Sequence, residues 1–477
     1  MVSPKAFESL SRDDLVALVA RLQGEVPRLQ RQVDQLMSVN AALRKEIEEL
    51  RRGGKRQAAP FSKGTRTPNP KPPGRKPGKG TFSYRKAPLP EEVTEPPVEV
   101  SVTEATCLEC GGRLLPERVD VVSITDILPL PRPRVTEYRV QVCRCASCGK
   151  QVRGQHPEVG PDQYGATAHR VGRRAMAAAH ALHYGVGVPV RKVPAVLKVL
   201  TGLGLTQGAV TQDALRRARG AVGSAYQRLR AAVRERPAVH TDDTGWRVGG
   251  EPAFLMAFET DEATVYQVRT RHRNEEVREV IPSDYRGIMV TDRGRSYDAQ
   301  TLAQVKQQKC LAHVLRSISD VVETKKGRGR SFGRHLQRLL REAMELRQQY
   351  HRGAALDFGA EAERLKGEVT HHLRDRPLAD RDNGRLQNEL GWHNDRGSLL
   401  RFLDEPAIEP TNNRAERALR PAVIARKVSH CSKNTQGAEA FAAFTSVLTT
   451  LKRQGNQSLI EGLCQVFSGA PVHATSS

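Results

Sequence analysis

The sequence has little of several things that would assign it to a common class. Only 5% of its 477 residues are aromatic, which argues against single-strand binding by base stacking. No apolar run approaches the roughly 18 residues that a membrane helix needs, and the opening stretch MVSPKAFESLSRDDL lacks the apolar segment of a signal peptide. Eight cysteines are too sparse for a disulfide scaffold. We therefore expect a cytoplasmic protein without a membrane partner.

Acidic residues are also scarce relative to basic ones. The chain has 76 Lys and Arg against 53 Asp and Glu, so its formal net charge is +23 and its pI is about 10.0. This excess predicts a polyanionic partner, either nucleic acid or an anionic membrane. The basic clusters described below lack an apolar face that could insert into a bilayer, which favours nucleic acid.

Residues 11–50 contain a seven-residue repeat. Leucine recurs at one position of the repeat and valine or isoleucine at its partner, at Leu15, Leu22, Leu29, Leu36, Leu43 and Leu50, and at Val19, Val26, Val33 and Ile47. This pattern favours a two-stranded parallel coiled coil over residues 1–52, in which Asn40 would fix the register. The alternative is a helical hairpin that packs on its own domain. Pro27 predicts a break in the helix. We expect a homodimer or a larger assembly through residues 11–50.

The next segment changes character. Residues 51–90 hold twelve Lys and Arg, no Asp or Glu, eight Pro and six Gly, a composition that cannot bury a core. We interpret residues 53–90 as a disordered basic arm that contacts DNA phosphates. A self-repelling linker is the alternative, and one segment could serve as both.

Two CxxC motifs predict a metal site in residues 91–160. Cys107 and Cys110 form one pair and Cys145 and Cys148 the other, and a glycine follows each pair. Two such turns can present four thiolates to one structural Zn²⁺. The alternatives are a redox pair or buried thiols, and Cys143 could replace Cys145 as a ligand. Short runs such as VEVSV and RVQVCRC predict strands here.

Residues 161–235 predict several helices. A glycine-containing turn separates two of them, and the second begins near Thr206 and ends in a cluster that includes Arg216 and Arg217. This segment is either a helix-turn-helix-like DNA-binding unit or a plain helical hairpin with a basic face.

Acidic residues follow two predicted strands. Asp242 directly follows the run AVHT and Asp292 ends the run GIMVTD, while Glu416 lies in a predicted helix further along the chain. Carboxylates that converge at a sheet edge can bind two Mg²⁺ or Mn²⁺ ions, so the three acids form a candidate catalytic site. The alternative is that each acid has only a local structural role, as a turn residue or a helix cap.

Basic residues surround Glu416, namely Arg420, Arg426 and Lys427. They are candidates for contacts to DNA phosphates. An ion pair between Glu416 and Arg420 within the helix is the alternative for Arg420.

The order of these features resembles the insertion-sequence-66 (IS66) family of transposases. The heptads, basic arm and CxxC pairs are followed by HTDDTGW, GIMVTDRG, KCLAHVLR and TNNRAERALRPAVIARK. The resemblance implies an α/β, ribonuclease-H-like catalytic core of the DDE type over residues 236–455, with a helical insertion at about 315–400 and a tail at 456–477. It implies catalytic roles for Asp242, Asp292 and Glu416. The family usually has Glu where this chain has Asp243, and often Asp where it has Thr411.

We therefore expect a bacterial, nucleoid-associated transposase. It would bind the terminal inverted repeats of its element, cleave the 3′ ends in a metal-dependent reaction and transfer them into target DNA. Double-stranded DNA, further copies of the chain and small accessory proteins of the element are the expected partners. A nuclease without strand transfer and a DNA-binding regulator without catalysis are the alternatives.

Overall fold

A computed structural model describes residues 11–55, 88–94, 96–100, 103, 106, 109–113, 121–124, 131–156, 158–159, 170–354, 357–375, 378–455, 458–470 and 472. The chain forms two units. The larger unit comprises Met1–Ser62, Tyr138–Val196 and Gly204–Ser477, and the smaller comprises Lys63–Glu137 and Leu197–Leu203.

The larger unit begins with one long helix, α1 (Arg12–Lys55). Pro27 lies inside it, so the predicted break is wrong. Proline has a backbone φ that suits a helix, and its cost here is one missing N–H donor and a crowded carbonyl, which a helix of 44 residues tolerates. The apolar residues of the repeat from Leu15 to Leu43 face solvent, with Leu36 63% and Val26 58% exposed in the single chain.

A small antiparallel ribbon precedes the main body. It consists of β1 (Val142–Arg144) and β2 (Gln151–Arg153), which confirms the strand expected in RVQVCRC. The run VEVSV behaves differently, because residues 96–100 of the smaller unit form no strand and leave Val98 and Val100 exposed. A strand forms when a neighbouring strand pairs with it through backbone hydrogen bonds. Residues 96–100 have no such neighbour among the described residues of the smaller unit.

Four helices then lead to the sheet. They are α2 (Arg173–His180), which continues as a π-helical turn over Ala181–Val186, α3 (Val193–Thr201), α4 (Gln207–Arg219) and α5 (Ala221–Arg234). Thr206 caps α4, because its hydroxyl accepts a hydrogen bond from the Ala209 N–H at 3.1 Å. The predicted start of the second helix is therefore confirmed.

The centre of the larger unit is a mixed five-stranded sheet. Its strands are β3 (Ala238–Val248), β4 (Glu251–Glu259), β5 (Thr264–Arg269), β6 (Ile288–Thr291) and β7 (Lys306–Lys309), and the helix α6 (Asn274–Arg278) lies between β5 and β6 in the chain. The spatial order is β5-β4-β3-β6-β7. The pairs β3–β4 and β4–β5 are antiparallel, while β3–β6 and β6–β7 are parallel. Gly249 and Gly250, both at positive φ, make the tight turn between β3 and β4.

Helices follow the sheet. They are α7 (Leu311–Thr324), α8 (Ser331–His351), α9 (Phe358–Arg374), α10 (Arg381–Asp395), α11 (Arg401–Asp404), α12 (Asn413–Ser429), α13 (Thr435–Gln454) and α14 (Leu459–Phe467). The strong helix expected in GAEAFAAFTSVLTTLKR is thus confirmed as α13. Helices α7 to α11 share one apolar core with Ile288 and Val290 of β6. Another core joins α5, α13 and α14 to the sheet.

The C-terminal segment differs from the expected tail. Residues 456–477, which we grouped as a tail, include α14, whose Leu463 and Val466 are buried in the core. None of the helices in the described part of the chain combines the length and apolar content that crossing a bilayer requires.

Candidate functional site

The parallel pairing of β3 and β6 brings two aspartates side by side. The pairing ends at His240 opposite Val290, and continuing this register by two residues sets Asp242 opposite Asp292. Asp292 directly follows β6, as predicted, whereas Asp242 lies within β3 rather than at its end. The reason is that β3 continues to pair with β4, where Asp242 lies opposite Ala257.

The charged form of the Asp242 carboxylate is disfavoured by its surroundings. Burial raises its pKa to about 6, and the charges of Asp292 and Asp243 also raise it. The Asp243 N–H, which donates to Asp242 Oδ1 at 2.9 Å, and the nearby His313 act in the opposite direction. Asp292 Oδ1 accepts a hydrogen bond from the Gly294 N–H at 2.8 Å. Two neighbouring carboxylates in a partly buried site match the oxygen ligands that Mg²⁺ or Mn²⁺ prefers.

Asp243 belongs to the other face of the strand. Successive residues of a strand point to opposite faces, and Asp243 Oδ1 lies 3.0 Å from His272 Nδ1. Burial lowers the pKa of His272, but the pairing with Asp243 outweighs it and the net shift is upward. Thr244, which shares its face with Asp242, contacts α12 through Arg426. Of the two adjacent acids, Asp242 therefore faces the helix that carries Glu416.

Helix α12 is anchored to β3 at its start by Asn412. This residue is fully buried. Its side-chain N–H donates to the Thr241 carbonyl at 2.7 Å, and its backbone N–H donates to Cys310 Sγ at 3.1 Å. Asn412 thus joins β3, the start of α7 and the start of α12. The sequence analysis quoted Asn412 as part of a motif but did not assign this role, because an asparagine directly before a helix predicts a cap, and its side chain forms no such cap.

Glu416 lies in the first turn of α12 and faces His313. Its Oε1 is 3.9 Å from His313 Nε2, and its side chain is 41% exposed. The donor atoms of Cys310, His313 and Glu416 all lie within 4.8 Å of one another. His313 also interacts electrostatically with Asp242. The start of α7 therefore connects the aspartate pair to Glu416, and the predicted third acid lies next to the same group of side chains.

The predicted phosphate-binding residues on α12 divide into two groups. Arg420 and Lys427 are exposed. The side chains of Arg420 and Glu416, both described in the structure, form no ion pair with each other. Arg426 is half-buried and donates to the Thr244 hydroxyl at 3.1 Å and to the Gly245 carbonyl. We therefore assign Arg426 to the docking of α12 on β3 and keep Arg420 and Lys427 as DNA-facing candidates.

The arginines of α4 divide in the same way. Arg216 is 61% exposed and pairs with Asp213. Arg217 is only 14% exposed, because its Nε donates to Asp213 at 2.7 Å and its guanidinium carbon lies 3.6 Å from the centre of the Phe467 ring. Arg217 therefore packs α4 against α14, and the DNA contacts predicted for Arg216 and Arg217 stay predictions.

The cysteines are described in part. Cys107 lies outside the described residues, and Cys110 belongs to the smaller unit. Cys145 and Cys148 lie in the tight turn between β1 and β2, where the Cys145 N–H donates to the Lys150 carbonyl at 2.8 Å and the Gly149 N–H to the Cys145 carbonyl at 2.9 Å. The backbone N–H groups of Cys148 and Ser147 lower the pKa of the Cys145 thiol. Such a turn suits metal ligation, and the four-cysteine zinc site stays a prediction.

Comparison with known proteins places this chain in a family. The sequence model described as "Transposase IS66 family" matches residues 169–440. The uncharacterized protein y4jD of Sinorhizobium fredii is 25% identical over 263 residues, which are 48% of this chain and 50% of that protein. The chain thus spans about half the length of this curated relative. Because the family model covers more than half of the chain and includes both aspartates and Glu416, the chain belongs to the IS66 family of transposases.

Proposed function

We propose that this protein is a DNA transposase of the DDE type, in which Asp242, Asp292 and Glu416 hold two Mg²⁺ or Mn²⁺ ions. The observation that carries the proposal is the parallel pairing of β3 and β6, whose register, continued by two residues, would set Asp242 opposite Asp292. Glu416 supports it as the third ligand, because Asn412 docks the start of its helix on β3 next to Asp242.

The sheet supports a ribonuclease-H-like core. Three antiparallel strands continue into two parallel ones, with β3 at the centre. A fold of this type presents acids from its central strand and the adjacent parallel strand, which are the positions of Asp242 and Asp292. Helices α8 to α10, between α7 and α12 in the chain, would then be the helical insertion.

The residues of the site have separate tasks in the proposed reaction. Bound divalent ions would supply activation of a water molecule or a DNA 3′-hydroxyl and stabilisation of the leaving oxygen. Asp242, Asp292 and Glu416 hold the ions, and their negative charge offsets the positive charge that the ions bring. Arg420 and Lys427, exposed on the helix of Glu416, orient the DNA by binding phosphates.

Recognition of the element ends is proposed to lie outside this core. The zinc module at residues 91–160, with Cys107, Cys110, Cys145 and Cys148 around one Zn²⁺, and the helices of residues 161–235 would recognise the terminal repeats. Arg216, exposed at the end of α4, would contact a phosphate. The basic arm would add affinity that does not depend on sequence. A protein with these contacts would reside on the nucleoid.

One assay separates this function from its alternatives. The full chain is incubated with labelled element ends, a target plasmid and Mg²⁺ or Mn²⁺. Labelled ends joined to the plasmid support the transposase. Ends that are cut but not joined would instead identify a nuclease, and ends that are bound but intact would identify a DNA-binding regulator.

A further inference from the structure

We propose that Cys310, His313 and Glu416 form a binding site for a borderline-soft divalent cation of the Zn²⁺ class. This site differs from the proposed catalytic site of Asp242, Asp292 and Glu416, with which it shares only Glu416. A thiol sulfur, an imidazole nitrogen and a carboxylate oxygen converge here, all within 4.8 Å of one another. Three protein ligands of these types with a fourth position open are characteristic of zinc sites that bind an exogenous ligand.

The three side chains are held by two helix starts. Cys310 immediately precedes α7, and His313 lies in its first turn, where its backbone N–H donates to the Cys310 carbonyl at 3.1 Å. Glu416 lies in the first turn of α12. The Asn412 N–H, which donates to Cys310 Sγ at 3.1 Å, ties the two helix starts together. The ligand set is therefore preorganised, and it carries the kind of outer hydrogen bond that orients metal-bound sulfur.

Two polar groups of this cluster lack a close hydrogen-bond partner. In the described part of the chain, His313 Nδ1 is buried and has no hydrogen-bond partner. The Glu416 carboxylate has one ionic neighbour among the described residues, His313 at 3.9 Å, which is too long for a hydrogen bond. A cation bound by the Cys310 thiolate, one ring nitrogen of His313 and the Glu416 carboxylate would give that carboxylate a direct partner.

The chemistry of the donors separates the two sites. Thiolate and imidazole ligands select Zn²⁺ over Mg²⁺, whereas carboxylates alone suit Mg²⁺ or Mn²⁺. A Zn²⁺ ion bound to Cys310 and His313 would hold the Glu416 carboxylate against α7. The consequence that Zn²⁺ withdraws Glu416 from the aspartate pair rests on the proposed function, while zinc binding itself does not.

The test is zinc binding to the full chain. Metal-free protein is dialysed against buffered Zn²⁺, and the bound zinc per chain is measured for the wild type, Cys310→Ser and His313→Gln. We expect both variants to lose one equivalent, because removal of a ligand weakens the site at least as much as removal of an outer partner, about 10–100-fold. Cys464→Ser alters a half-buried cysteine of α14 and is the matched control, with unchanged zinc.

Further variants keep the outcome unambiguous. His313 is 29% exposed, so His313→Gln decides the question if Cys310→Ser fails to fold. Glu416→Gln should weaken the same equivalent, and Asp292→Asn should leave it intact. The double variant Cys145→Ser/Cys148→Ser should lose a different equivalent. Wild-type zinc content and affinity in both Cys310→Ser and His313→Gln would overturn the proposal, whereas absence of DNA cleavage would count only against the proposed function.

Discussion

Single residues decide which side chains the site can use. Asp242 and Asp243 are adjacent in the sequence, yet successive side chains of a strand point to opposite faces. Asp243 pairs with His272 on its own face. Asn412 connects elements 171 residues apart with one hydrogen bond to the Thr241 carbonyl. The precision of the site therefore depends on a residue that bears no charge and binds no metal.

We expect Asn412→Ala to destabilise the protein by about 1–3 kcal/mol, because the buried Thr241 carbonyl loses its donor. The same change should reduce DNA cleavage by releasing the start of α12. Unfolding in urea gives the stability, and the matched control is Asn413→Ala at the exposed next position. Equal unfolding midpoints for the two variants would contradict the role of Asn412.

The sequence predicted the acids but not their supporting residues. Asp242, Asp292 and Glu416 could be selected because each follows an apolar run or lies in a recognisable motif. The DNA contacts predicted for Arg217 and Arg426 rest on local charge alone, and that reasoning missed the contacts they make to Phe467 and the Gly245 carbonyl, which are distant in sequence. Such contacts form only when distant segments pack together, so the neighbouring sequence does not predict them.

At the scale of elements, α1 and β3 show where local patterns suffice and where they do not. The heptads correctly predicted a helix, and this helix exposes its leucine and valine stripe from Leu15 to Leu43. The sequence AVHT predicted only the first part of β3, because the polar residues HTDDTG lower the strand signal. Pairing with β4 extends the strand through Val248, and this pairing cannot be read from β3 itself.

The exposed stripe of α1 predicts a two-stranded coiled coil between two copies of the chain. Leu29→Asp/Leu36→Asp places charges on the stripe and should convert the dimer to a monomer. Arg31→Asp/Ser38→Asp changes positions on the opposite side of the helix and should leave the dimer intact. Light scattering of the full-length variants measures the mass. A wild-type chain that is monomeric at micromolar concentration would contradict the coiled coil.

At the scale of the whole molecule, the net charge of +23 is unevenly distributed. Twelve positive residues fall in residues 51–90, which contain no acid. The sequence predicted the α/β class and the mixture of strand and helix segments, because the apolar runs and breaks are strong. The strand order and the packing of α14 into the core could not be predicted from the sequence, because both depend on contacts between distant segments.

We expect removal of residues 51–90 to flatten the salt dependence of DNA binding. Each phosphate contact contributes about 0.9 to the slope of log K against log salt, so the slope should change by up to about ten units. A second variant keeps the length and replaces the twelve basic residues with Gln, and it should show the same loss. A wild-type slope in the Gln variant would mean that the segment acts only as a spacer.

The central claim is that Asp242, Asp292 and Glu416 together form the cleavage site. The most direct measurement is Mg²⁺-dependent cleavage of labelled element ends by Asp242→Asn, Asp292→Asn and Glu416→Gln, with end binding measured on the same samples. Asp284→Asn, an exposed aspartate near β6, is the matched control. We expect each of the three variants to bind the ends without cutting them, whereas Asp284→Asn should do both. Cleavage at the wild-type rate by Asp292→Asn would contradict it.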